Sequence, residues 1–130
     1  MTPEQILEVE GVIDAIGRHG TFAARFYERL FVAAPHTEPL FADVGAQQRK
    51  LTEELAAMVA LLRDLPSLDD RARELGGRHR GYGVKAGDYR VAREVMVDVL
   101  REELGDEFGP AQEAAWTRAT NLITELMLSS

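Results

Sequence analysis

Apolar side chains recur three or four residues apart along almost the whole of this 130-residue chain, and no stretch alternates apolar with polar residues between hairpin turns. That spacing serves a helix, because positions i, i+3 and i+4 share one helix face. Thr2-Pro3-Glu4-Gln5 reads as a helix start: Thr2 can cap, Pro3 suits the first helical position and Gln5 can return a hydrogen bond. Ile6, Val9, Ile13 and Ile16 continue it as far as Gly17 and Gly20. A second helix carries Phe22, Phe26 and Leu30 on one stripe, with Tyr27 and Phe31 beside it. Pro35 and Pro39 bracket a turn that ends at Leu40-Phe41. Leu51, Leu55, Val59 and Leu62 mark a long amphipathic segment closed by Asp64-Leu65-Pro66, with Gln47 one turn before Leu51. The stretch from Leu68 to Arg80 is expected as a helix interrupted by Gly76 and Gly77. Val91, Val95, Val99 and Leu104 mark another, ended near Gly105. Pro110 can open the last, whose inner face would carry Ala114, Ala115, Ala119, Leu122, Ile123 and Met127. The fold class is all-α, with six to seven helices and no sheet.

This length fits one domain, 1–130, able to bury about two-thirds of its unfolded surface. Apolar residues make up 45% and charged ones 28%, which excludes a disordered chain. The formal charge of −7, from 15 basic and 22 acidic side chains, repels phosphate backbones, and the sequence shows no basic stripe to offset it. Nucleic acid is therefore not an expected partner. With no cysteine, disulfides, thiolate catalysis, iron–sulfur clusters and Cys-based zinc sites are excluded. Met1-Thr2-Pro3-Glu4-Gln5 lacks the basic flank and apolar stretch of a signal peptide, and no run reaches the ~18 apolar residues that span a bilayer. A cytoplasmic location and no membrane partner are the expectation.

Three histidines remain as candidate ligands. His19 lies beside Gly20 at a helix exit and His36 follows Pro35 in a tight turn, so both read as surface or capping residues. His79 differs because glycines crowd it on both sides, and glycine in a helix costs about 1 kcal/mol relative to alanine. Such a cluster suggests that something large approaches the backbone there. Taken alone, the pattern still favours a surface histidine at the end of a loop over a ligand.

Phe26-Tyr27-x-x-Leu30-Phe31, Pro35, Leu40-Phe41, Gln47-x-x-Lys50-Leu51, Gly76-x-Arg78-His79-x-x-Tyr82-Gly83-Val84, Tyr89 and Ala115-Trp116 occur in this order. As a set they resemble the bacterial single-domain globins and the globin domain of flavohaemoglobins, from about Phe22 to Trp116, with a difference in the loop after Phe41. The resemblance implies a globin fold around one haem b, iron protoporphyrin IX. It implies His79 as proximal iron ligand, its other ring nitrogen donating to the backbone carbonyl of Leu75, and Phe41 stacked on the haem. Tyr27 and Gln47 would stand over the sixth coordination position, with Leu51 closing the distal wall and Lys50 reaching a propionate. Tyr82, Val84 and Tyr89 would complete the contacts. A phenol and an amide there can donate hydrogen bonds to a polarised diatomic ligand, more strongly in a dry pocket than in water.

The function so implied is reversible binding of dioxygen, with nitric oxide and carbon monoxide as further ligands, by a monomer or homodimer. The alternatives are nitric oxide dioxygenation, a haem-based gas sensor and a haem-free interaction module. Flavohaemoglobins carry a reductase after the globin; here the chain stops at Ser130, so a reductase acting in trans is the expected electron source. Tyr89 matches a tyrosine that, in that family, works with a late glutamate to make the proximal histidine more basic; the glutamate's position falls just past Ser130, and Glu125 is too early.

Overall fold

All the α-helices but the second begin where a side chain or a proline can deal with the free N–H groups of a first turn. In the computed structural model, which describes residues 1–129, Thr2 caps α1 (Pro3–His19): Thr2 Oγ1 accepts from Gln5 N at 3.1 Å and Gln5 Oε1 from Thr2 N at 3.0 Å. After α2 (Phe22–Ala33) the chain turns through a 3-10 segment, Pro35–Leu40. Asp43 caps α3 (Val44–Ala60) and Asp64 caps α4 (Leu65–Gly81), accepting from Ala46 N at 3.0 Å and Ser67 N at 3.3 Å. Asp88 holds the start of α5 (Ala86–Leu104) by accepting from Lys85 N at 3.0 Å. Gln112 does the same for α6 (Pro110–Leu128), accepting from Gly109 N at 2.9 Å. A second 3-10 turn, Gly105–Phe108, joins the last two helices, and the described residues contain no strand. The all-α expectation holds.

The helices pack chiefly as α4 on α6, α1 on α6 and α2 on α5, around Trp116, Phe22, Met58, Leu68 and Leu100, all fully buried. Removing such side chains from water is the main stabilising term. The surface ion pairs Arg25–Glu103, Arg29–Glu102 and Arg63–Glu10, screened by solvent, add little. Ala114 is exposed rather than inward, and Trp116 and Thr124 join the buried face of α6.

The principal departure from the sequence expectation is α4. Gly76 and Gly77 do not interrupt it, and Pro66 helps to open it instead of only closing α3. The close approach that the glycines suggested comes from another helix. A Cβ on Gly76 would lie 2.0 Å from Met127 O and 2.8 Å from Met127 Cα, so α4 and α6 cross almost backbone to backbone. Arg73, three residues earlier and on the same face, donates to Ser129 O at 2.9 Å. Gly77 meets nothing closer than the mobile end of Arg80, at 3.8 Å. Gly76→Ala is therefore expected to destabilise the fold by about 3 kcal/mol, whereas Gly77→Ala should stabilise it by about 0.5–1 kcal/mol through helix propensity. Urea unfolding of the two variants measures both; equal effects would contradict the crossing.

Candidate functional site

The stripe of α4 that faces the core runs through Leu68, Ala72, Leu75 and Gly76, and His79 is its next member. The imidazole is half-buried. Its Nδ1 lies 2.9 Å from Leu75 O, one turn back, as expected from the resemblance. A carbonyl can only accept, so Nδ1 carries the proton and Nε2 keeps its lone pair. Burial holds the pKa of His79 below the ordinary histidine value, with a smaller lowering contribution from Arg78; the Leu75 carbonyl and the Glu54 carboxylate oppose it. Tyr89 of α5 stacks on the ring, with centroids 5.9 Å apart and planes at 25°. The result is a neutral imidazole, fixed in one tautomer and orientation, with an open donor nitrogen.

A second cluster forms where α2 meets the 3-10 turn. Tyr27 packs edge-on against Phe41, centroids 5.3 Å apart, and Phe31 lies 5.9 Å from Tyr27 and 5.8 Å from Phe41. Tyr27 is only 5% exposed as a residue and its hydroxyl makes no hydrogen bond among the described residues, whereas the fully buried polar atom left without a partner is Trp116 Nε1. Burial pushes its pKa up to about 12. The two clusters are tied together at the corner between α4 and α5. Gly83 adopts φ +92°, open to glycine at little cost, and a Cβ there would lie 3.7 Å from Leu40 Cδ2. His36 Nε2 lies 2.7 Å from Asp88 Oδ1, joining the 3-10 turn to the start of α5. His36 thus keeps the surface role read from the sequence, as does His19, which meets Glu107 at 3.2 Å.

Gln47 and Leu51 stand half-buried on α3, and no hydrogen bond reaches the Gln47 amide among the described residues. Phe41 and Val84 are half-buried too, whereas Lys50 and Tyr82 (63% exposed) lie at the surface. Sequence reasoning passed over Glu54, which accepts both Nε and Nη2 of Arg71 at 3.0 and 2.8 Å and bridges α3 to α4; a carboxylate 17 residues before its guanidinium partner leaves no local signal. Leu55, Leu75, Met96, Leu122 and Leu126 pack against the core yet stay partly open. Two open surface grooves lie elsewhere, one among α1, α2 and α3 and one between α5 and α6.

This donor set fits a planar apolar group that brings its own metal. Among the described residues no three His, Asp or Glu side chains gather to bind an ion, so one imidazole is what the protein offers a metal. Partly open apolar side chains offer the rest of such a group a surface, and a lone phenol waits for a partner.

An all-helical frame with a single oriented imidazole and an aromatic cluster tied to it defines the class of fold that cradles haem. Residues 24–127 match the globin family, and the chain belongs to that family. Membership carries haem binding and diatomic gas binding in general. The chain is 24% identical over 127 residues to a flavohemoprotein of Bacillus subtilis (strain 168), covering 92% of this chain and 31% of that protein. It is 26% identical over 133 residues to an uncharacterized globin-like protein of Aquifex aeolicus (strain VF5), covering 99% and 93%. A flavohemoprotein of Rhizobium meliloti (strain 1021) is 24% identical over 124 residues, again with 92% and 31% covered. The chain thus spans about a third of the length of these flavohemoproteins. In fold it is similar to an engineered carbene transferase from Rhodothermus marinus, with a TM-score of 0.87, 24% identity and coverage of 99% and 92%. Among the described residues no helix is long and apolar enough to cross a membrane.

Because Tyr27 is 5% exposed and its hydroxyl makes no hydrogen bond among the described residues, Tyr27→Phe is expected to match or exceed the parent stability by up to about 1 kcal/mol at neutral pH. The fold holds the phenol proton more tightly than the unfolded chain does, with a pKa of about 12 against 10. The associated stability is whole below pH 10 and lost as pH rises toward 12. Across that window the parent should lose about 2–3 kcal/mol relative to the Phe variant. Urea titrations at both ends of the window measure this, and parallel pH profiles would refute it.

Proposed function

We propose that this chain, as a single globin domain, holds haem b through His79 and reversibly binds dioxygen. The observation that carries the reading is a neutral imidazole oriented in an apolar frame, His79 with Nδ1 engaged by Leu75 and Nε2 open, together with Tyr27, whose hydroxyl makes no hydrogen bond among the described residues. When bound, haem supplies a ferrous iron with a coordination position for a diatomic ligand. The Leu75 carbonyl fixes the tautomer of His79 and increases its basicity as a ligand, while Tyr89 restrains its ring. Tyr27 and Gln47 donate hydrogen bonds to a ligand with partial negative charge, favouring dioxygen over the less polarised carbon monoxide. Phe41 offers a flat apolar face, and Leu51 and Val84 exclude water. Lys50, on the exposed side of α3, would be the residue to meet a haem propionate, and exposed Tyr82 would stand at the rim.

Nitric oxide dioxygenation is the second reading, favoured by the two relatives called flavohemoproteins, of which this chain matches 31%. Turnover then depends on a reductase acting in trans. Repeated turnover with NADH and a cell-extract reductase separates it from simple gas binding; a single turnover that stalls counts against it.

Protein expressed with ample haem should give a five-coordinate ferrous spectrum that shifts under carbon monoxide, and His79→Ala should abolish it. Tyr27→Phe should speed dioxygen dissociation at least about tenfold, the loss of one charge-assisted hydrogen bond. Folded protein that takes up no haem would overturn the haem reading. An unchanged off-rate in the Phe variant would remove the distal role of Tyr27 alone.

A further inference from the structure

Charge on this chain is unevenly placed. Between Glu74 and Glu94 there are five basic side chains, Arg78, Arg80, Lys85, Arg90 and Arg93, and one acidic one, Asp88, a local charge of +4 in a chain of −7. This stretch is the exception to the expectation of no basic stripe. Elsewhere seven of the nine arginines are neutralised, Arg18, Arg25, Arg29, Arg63, Arg71, Arg73 and Arg101 each pairing with a carboxylate, while Arg49 and Arg118 make no ion pair among the described residues. Among the described residues no carboxylate lies within ion-pairing distance of Arg78, Lys85, Arg90 or Arg93, and Asp88 is engaged by His36 and by Lys85 N.

Helix electrostatics account for only part of this. Arg78 and Arg80 sit in the last turn of α4, where the helix dipole welcomes cations. Lys85 precedes α5, at the end where the dipole disfavours a cation, with Asp88 as its nearest opposing charge. Arg90 lies in the second turn, one turn before Glu94 and without an ion pair to it. Tyr82, 63% exposed, stands in the same corner, and tyrosine is a favoured anchor at protein interfaces.

We infer that the α4–α5 corner, which carries Arg78, Tyr82, Lys85 and, at the edge of the α5–α6 groove, Arg90, is the docking face for an acidic one-electron carrier protein that reduces the haem iron. This rests on the haem reading above, because His79 places the iron beside the same corner. The step is a single electron transfer: the carrier is oxidised by one electron and ferric iron is reduced to ferrous, with no bond broken. A compact patch suits such a partner. A long nucleic acid or a membrane plane would also meet the surrounding surface, where the other residues carry −11.

The test uses haem-loaded ferric protein and reduced plant-type [2Fe–2S] ferredoxin, an acidic carrier, in stopped flow. Two bodies of net negative charge should react faster as salt rises; docking at a basic patch makes the rate fall with salt. The expected result is a falling rate, cut at least about tenfold by Lys85→Glu/Arg90→Glu and changed less than about twofold by Arg118→Glu, an exposed basic control on α6. Calorimetric binding of oxidised ferredoxin should weaken in the same order. Should the double reversal unfold, Lys85→Gln/Arg90→Gln is read instead, with a smaller loss of the same sign. A rate that rises with salt, or equal losses in the Arg118 control, would overturn the docking face while leaving the haem spectrum intact. Binding to duplex DNA or to phosphatidylglycerol vesicles, but not to ferredoxin, would overturn it too. A parent chain that takes up no haem would instead remove the reading on which the inference rests.

Discussion

The near-contact of two backbones at Gly76 and Met127 is the constraint on which the rest of this structure depends. It sets the distance between α4 and α6, and so decides which stripe of α4 faces inward. Leu68 and Ala72 are fully buried by that orientation, Leu75 is partly buried, and His79, at the end of the stripe, inherits its direction. Arg73 secures the crossing from the polar side through Ser129 O. A side chain larger than hydrogen at position 76 would rotate or lift the helix, and the imidazole would move with it. The helix propensity given up at this glycine, about 1 kcal/mol, is small beside the packing that it permits.

The groups placed by this frame are not arranged for greatest stability. The Tyr27 phenol makes no hydrogen bond among the described residues, so at neutral pH it adds no stability that a phenylalanine would not. Leu51, Leu55, Leu122 and Leu126 remain partly open although each packs on the core. Burial that lowers the affinity of His79 for a proton leaves its nitrogen free for something else. Each of these features is a local loss, and a flat, apolar, metal-bearing group would recover all of them together. Incomplete burial around an oriented imidazole is thus a more informative signal than any single residue.

Much of the frame was legible in the chain. Helix starts at Thr2 and Pro110 follow from capping chemistry that acts within four residues, and the Phe22, Phe26, Leu30 stripe follows from period alone. The continuity of α4 was not legible, because the propensity penalty at Gly76 and Gly77 is local while the contact that offsets it lies about fifty residues away, at Met127. For the same reason the glycines around His79 pointed to a close approach without revealing what approached. Tyr27, Phe41 and His79 stood out through their resemblance to a known set; their physical surroundings, such as the Leu75 carbonyl and the Tyr89 ring, emerge only in three dimensions.

The two ends of α4 show how one helix can serve stability and function separately. At its start Arg71 and Arg73 are committed, one to Glu54 of α3 and the other to Asp69 and the end of α6, and these contacts lock the helix between its neighbours. Toward its end the crossing is already complete, the chain leaves through Gly81 and Gly83, and Arg78 is not drawn into an ion pair. The first half of the helix therefore holds the fold in place. The last turn is left to present an imidazole inward and positive charge outward, which is the division expected where a buried reactive centre must communicate with a partner it cannot touch directly.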